Sequence, residues 1–256
     1  ANGVILITTK KGMDGESIIE ADVKYGVNVS GIARHQVIQS PEEYIALSWE
    51  SMYNRGVATG QADPAAFANA NLFSGSGINP KYNMWDVASV ADLIDPATGQ
   101  VRSGVSRLYD PEDWEDYGFQ NSNRTEANIT FRGGSEKTKY FTSVGYLKDV
   151  GYIINSDFER INAAINLETK VKPWLTTTAR MTYALTETNN NGQSEDSGSI
   201  FWFTDNIPSI YPLFLRDENG AYVEDPIFGG NQYDYGNDRG FGALTNSIAD
   251  AHYDRS

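Results

Sequence analysis

The sequence predicts an all-β fold, and within that class a part of a large antiparallel transmembrane β-barrel with long, partly helical loops on one side. Three observations carry this reading. Apolar and polar residues alternate strictly through four segments. These segments run about 10 to 13 residues, longer than the ~5–6 of globular sheets and matched to a tilted bilayer crossing. Short turns also alternate with very long connections, the pattern of a membrane barrel with one short-looped and one long-looped side.

The opening ANGVILITTKKG begins without a Met, a basic n-region or an apolar h-region, so it reads as the interior of a longer polypeptide rather than as a leader. Val4, Ile5, Leu6 and Ile7 read as a short, largely β-branched strand that Thr8, Thr9, the Lys pair and Gly12 close. From Ile19, the residues Ala21, Val23, Tyr25, Val27 and Val29 share an apolar face opposite Glu20, Asp22, Lys24 and Asn28. Ala127, Ile129 and Phe131 repeat the pattern, as do Ile161, Ala163, Ile165 and Leu167. The fourth segment sets Leu175, Thr177, Ala179, Met181, Tyr183 and Leu185 against Thr176, Thr178, Arg180, Thr182 and Thr186. A fifth strand over residues 139–148 carries bulk on both faces (Tyr140, Phe141, Val144, Tyr146, Leu147), so its facing stays open.

Gly133-Gly134-Ser135-Glu136 and Val171-Lys172-Pro173 are short turns, residues 152–157 a modest loop, and about 30–124 and 189–256 the long loops. The first long loop reads as folded. Ser40-Pro41-Glu42-Glu43 combines a cap, Pro at the first helical position and Glu three after the cap, ahead of Tyr44, Ile45, Trp49 and Met52 and a stop at Gly56. Asp63-Pro64 and Asp110-Pro111 start two further turns the same way.

Composition narrows the function classes. The formal charge of −14 opposes non-specific attraction to nucleic acid or anionic lipid. The absence of cysteine removes zinc ribbons, thiol catalysis and disulfide scaffolds within this span. No apolar run reaches the ~18 residues of a membrane helix, which leaves the barrel as the spanning solution.

The residues also carry a family likeness. ANGVILITTKKG, SPEEYIALSWES, EDWEDYGF, the run FRGGSEKTKYFTSVGYLKDVGYIINSDFERINAAINLETKVKPWL and IPSIYPLFLRDENGAYVED follow one another in family order, and the chain resembles the SusC/RagA-like TonB-dependent transporters of the Bacteroidetes outer membrane. The resemblance implies that residues 1–12 end a plug domain and that 13–256 form the N-terminal portion of the barrel. It further implies import of an oligosaccharide or peptide, energised through TonB by an upstream segment and capped by a SusD-like surface lipoprotein in pairs that often dimerise. No cofactor and no enzyme activity are implied. The stretch FANANLFSGSGINPKYNMWDVASVADLIDPATGQ departs from the family, in a loop where ligand choice would lie.

Chemistry-bearing groups are few. The carboxylate pairs Asp113/Glu115, Asp110/Glu112 and Asp217/Glu218 are sequence neighbours, whereas a glycosidase pair must straddle a cleft. His35 and His252 lack neighbouring His or Cys partners, so no metal site is expected. Asp217-Glu218-Asn219-Gly220 reads as a tight turn rather than a calcium loop, and Gly133-Gly134 as a turn rather than a phosphate cradle. The binding candidates, for substrate or partner, are Trp85, Trp202, Phe203 and Tyr211 in the long loops; the alternative is that they fill a loop core. Trp174, at a short turn, reads as an interfacial girdle residue, and Glu20, Asp22, Arg160, Glu168 and Arg180 as lumen-facing. A glycan-binding β-sandwich without transport is the competing class, and a β-rich hydrolase a third.

Overall fold

The computed structural model describes residues 10–31, 36–191, 199–240 and 245–253. The strand expected at residues 4–7, His35 and part of the last loop lie outside them. In chain order the elements are β1 (Gly15–Asn28), α1 (Pro41–Ala58), α2 (Pro64–Asn71), a 3-10 turn (Pro80–Tyr82), α3 (Val90–Leu93), β2 (Ile94–Asp95), β3 (Gln100–Val101) and α4 (Trp114–Gly118). There follow β4 (Ser122–Gly134), β5 (Thr138–Val150), β6 (Asp157–Lys172), β7 (Leu175–Asn189), α5 (Ile200–Asn206) and α6 (Ser247–Tyr253). No described helix is long and apolar enough to cross a membrane. The chain divides into two compact units, one of residues 1–30 and 120–190, the other of 31–119 and 191–256.

The first unit is an antiparallel sheet in the order β1-β4-β5-β6-β7. Asn28 pairs with Ser122, Val150 with Asp157 and Asp157 with Asn189, so every long connection and the modest one leave from the same end. The tight turns after Gly134 and Lys172 close the other end, and β1 and β7 are the two edges.

Register settles the facing of every strand, because directly paired residues share a face. One row runs Ala21–Ile129–Val144–Ala163–Tyr183, and the next Ile19–Phe131–Thr142–Ile165–Met181. The opposite face carries Glu20, Asp22, Arg132, Asn128, Asn162, Arg160, Glu168 and Arg180. The fifth strand, open in sequence, is resolved: Tyr140, Val144 and Tyr146 join the apolar face, while Phe141 and Leu147 lie on the polar one, where both are buried.

The second unit is built from both long loops. Its core packs Ile45 and Trp49 of α1 against Ala68 of α2 and Leu72 just after it, with Tyr82, Met84, Trp85, Leu93 and Ile94, and it takes in Ile210 and Tyr211 from the last loop. Ser40 caps α1, accepting from the Glu43 N–H (3.3 Å), and Asp63 caps α2 through the Ala66 N–H (2.9 Å), where each Pro follows its cap. The third expected start is displaced. α4 begins after Asp113, whose carboxylate accepts from the Glu115 N–H (2.9 Å), while Asp110 pairs with Arg107 at 2.7 Å.

Candidate functional site

Two surfaces have the geometry for function: the open face of the sheet and the folded loop unit. On the sheet, the apolar face is exposed rather than packed, with Val23 73% and Tyr183 57% accessible. Between the Ile161 and Leu167 rows, six residues span about 20 Å, close to the ~25 Å apolar band of an outer-membrane barrel. Toward the long-loop end the same face turns polar. Glu187 lies there, Lys148 sits 3.9 Å from Glu159, and Asn189 donates to Asp157 at 2.7 Å. Trp174 stands exposed at the opposite end.

The polar face carries cross-strand ion pairs, Arg132–Glu20 at 2.7 Å and Arg124–Asp149 at 3.1 Å. It also receives the chain leading into β1. The Asn166 amide donates to the Lys10 carbonyl at 2.8 Å, and Gly12 lies so close to the Tyr140 backbone that a Cβ would clash with it. That approach explains why a glycine ends the KKG run.

In the loop unit, three of the four aromatic candidates are interior. Trp85 is 2% exposed, Tyr211 3% and Phe203 fully buried; Trp202, at 41%, keeps ring surface available. Tyr211 meets Tyr82 edge-on at 4.8 Å, and its backbone carbonyl accepts from the Trp114 indole N–H at 3.0 Å. Trp114 and Phe203 lie 5.1 Å apart, and with Tyr211 they surround the guanidinium of Arg239 at 5.3–5.9 Å. Arg239, which no sequence motif singles out, donates to the Thr245 carbonyl at 2.5 Å. Rings arranged around a buried cation stabilise it where water is excluded. Burial first, and then the nearby Asp234, push the Tyr82 phenol well above its ordinary range.

The loop carboxylates also have structural partners. Glu112 pairs with Arg216, accepts from the Leu213 N–H at 2.9 Å and from the Tyr222 hydroxyl at 3.0 Å. Glu42 holds Arg107 through both carboxylate oxygens, and this hydrogen bonding keeps its carboxyl below the usual range despite burial. Asp217 accepts from the Asn219 and Ala221 N–H groups at 2.9 and 2.8 Å, and Gly220 takes φ 80°, which is the tight turn expected. Among the described residues no cluster of His, Cys, Asp and Glu is placed to hold a metal. A cleft of about 220 Å³ opens beside Arg107, Glu112 and Trp114.

An antiparallel sheet with one exposed apolar face, one polar face and long connections leaving a single end is the arrangement found in the walls of large membrane β-barrels. No family model matches the chain. It is 26% identical over 226 residues to the TonB-dependent receptor P39 of Formosa agariphila, covering 88% of this chain and 17% of that protein. It is 27% identical over 167 residues to the TonB-dependent receptor SusC of Bacteroides thetaiotaomicron, covering 65% of this chain and 12% of that protein. Among solved structures it resembles the RagAB peptide importer in its closed-closed state, with a TM-score of 0.50 and 20% identity over 88% of this chain and 24% of that one. The chain therefore resembles the SusC/RagA-like TonB-dependent transporters, and spans under a fifth of the length of the two curated relatives.

Proposed function

We propose that this chain is the start of the transmembrane barrel of an outer-membrane importer, residues 13–256 forming barrel wall and loops and residues 1–12 ending a plug. The carrying observation is the sheet's exposed apolar face, running about 20 Å along the strands, backed by a charged face that suits a wetted lumen. The hydrogen bond from Asn166 to Lys10 supports the plug assignment, since it draws the incoming chain onto that charged face.

In this reading the plug closes the barrel until TonB, driven by the proton gradient, displaces it and a bound oligosaccharide or peptide passes. A SusD-like lipoprotein covers the outer mouth, in assemblies that pair into dimers. The chain's own residues supply a gated polar path; none makes or breaks a bond, and no cofactor is called for. Of the four ring candidates, Trp202 is the one exposed for contact with ligand or lipoprotein, while Trp85, Phe203 and Tyr211 shape the loop body that carries it.

The test is on the intact parent protein: tag it, fractionate the envelope and compare boiled with unboiled gel migration. A heat-shifting outer-membrane band with a co-purifying surface lipoprotein is expected. A soluble, non-shifting product would replace this reading with the glycan-binding sandwich.

A further inference from the structure

The last loop builds a second aromatic surface that the four ring candidates do not include. Bridges between Phe214 and Tyr233, Arg216 and Tyr222, and Glu224 and Asn231 fold it as a hairpin whose tip is residues 225–230. Asp225 fixes that tip. Its carboxylate accepts from the Ile227 and Phe228 N–H groups at 2.8 and 3.0 Å, its own N–H donates to Gly230 and its carbonyl accepts from Gly229, both glycines at φ above 70°. A tip with its backbone groups so satisfied holds its shape without a partner. It nevertheless presents Ile227 at 80% and Phe228 at 68% exposure.

Behind the tip lies a groove of about 380 Å³ lined by Asp225, Phe228, Tyr233, Tyr235 and Tyr253. Phe228 and Tyr253 lie 4.8 Å apart, and Tyr233 meets Tyr253 edge-on at 5.8 Å. The carboxylates at this groove are Asp225, which lines it, and the exposed Asp250, which acts on Tyr235, whereas Arg216 and Arg239, the arginines among the described residues of this loop, are held in the interior. Burial first, and then Asp250, Tyr253 and Asp225, raise the Tyr235 phenol above its ordinary range.

We propose that this groove binds a cationic side chain, the guanidinium or ammonium of an Arg or Lys on a peptide, seated on the rings of Phe228, Tyr235 and Tyr253 with Asp225 at its rim. Ring faces and a carboxylate both favour positive charge, and neither recognises a neutral hydroxylated ligand by charge. The site stands on the loop's own geometry and does not depend on the transport reading.

The experiment is calorimetric titration of the intact parent protein in detergent with the capped tripeptide Ala-Arg-Ala, its neutral citrulline counterpart and a maltooligosaccharide. The Arg peptide should bind about tenfold more tightly than the citrulline peptide, and added salt should narrow the gap. Tyr235→Leu and Phe228→Leu should each bring Arg binding down toward the citrulline level, with an unchanged heat-shifting gel band showing that the barrel is intact. Equal binding of the two peptides, binding only of the sugar, no binding by the unaltered protein, or Arg binding untouched by both substitutions would overturn the proposal.

Discussion

Glu112 and Arg216, 104 residues apart, form an ion pair that joins the two long loops, their side chains only 5% and 9% exposed. The Arg216 guanidinium also stacks 3.6 Å over Tyr222 and donates to the Gly220 carbonyl at 3.2 Å. Two connections separated by four strands of the sheet therefore fold as one body.

Removing one partner leaves the other charge buried and unpaired, at a cost of about 3–5 kcal/mol. Glu112→Ala in the parent protein is expected to open the loop unit to limited proteolysis while the heat-shifting band persists. Proteolysis unchanged from the unaltered protein would show that the pair does not hold the loops together.

Neighbouring positions on β7 should respond oppositely to a charge. Tyr183 lies on the apolar face and Thr182 on the polar one. An arginine on the lipid face costs about 2–4 kcal/mol near the midplane, and little in a wetted lumen. Tyr183→Arg should therefore lower assembly yield and unfolding midpoint, and Thr182→Arg should leave both near those of the unaltered protein.

The loop tryptophans should separate structure from recognition. Trp49 is buried, stacks on Tyr53 at 5.5 Å and donates its indole N–H to Asn69 at 2.7 Å. Trp49→Ala should destabilise the loop body by about 3–5 kcal/mol. Trp202→Ala should leave protease resistance intact and weaken capture of substrate or lipoprotein, measured by co-purification.

Alkaline pH should weaken the loop unit. Burial pushes the Tyr109, Tyr211 and Tyr233 phenols from 10.0 up to about 12. A raised folded value means the stabilisation is complete below the unfolded value of 10.0 and is lost as pH rises toward about 12. Ultraviolet titration should show a group of phenols ionising late, together with loss of loop structure. Ionisation of all phenols near pH 10 with the fold unchanged would contradict this.

Strand alternation makes most of the sheet legible from the amino acids alone, because period-two patterning survives wherever one face meets an apolar environment. It fails at β5. Phe141 and Leu147 sit on the polar face and are buried there, so neither is distinguishable locally from Tyr140 or Val144. Local capping chemistry places α1 and α2 but misplaces the start of α4: Asp110-Pro111 carries the same cap signal as the other two, yet Asp110 pairs with Arg107 and Asp113, without a following Pro, is the cap. The aromatic candidates stand out for being in loops, yet the loops have a core of their own. Contacts such as Trp114 to Tyr211 span 97 residues and leave no short-range signal.

In the proposed barrel the sheet's apolar face meets lipid. This sequence has no cysteine, and single Cys substitutions at Arg180, Met181, Thr182, Tyr183, Ala184 and Leu185 can each carry a nitroxide in the parent protein, with any cysteine elsewhere replaced, reconstituted in bilayers. A lipid-facing surface gives a period of two: labels at 181, 183 and 185 relaxed by dissolved oxygen, and those at 180, 182 and 184 by a water-soluble nickel chelate. Labels at 181, 183 and 185 shielded from both reagents would mean that protein, not lipid, covers this face, and would contradict it.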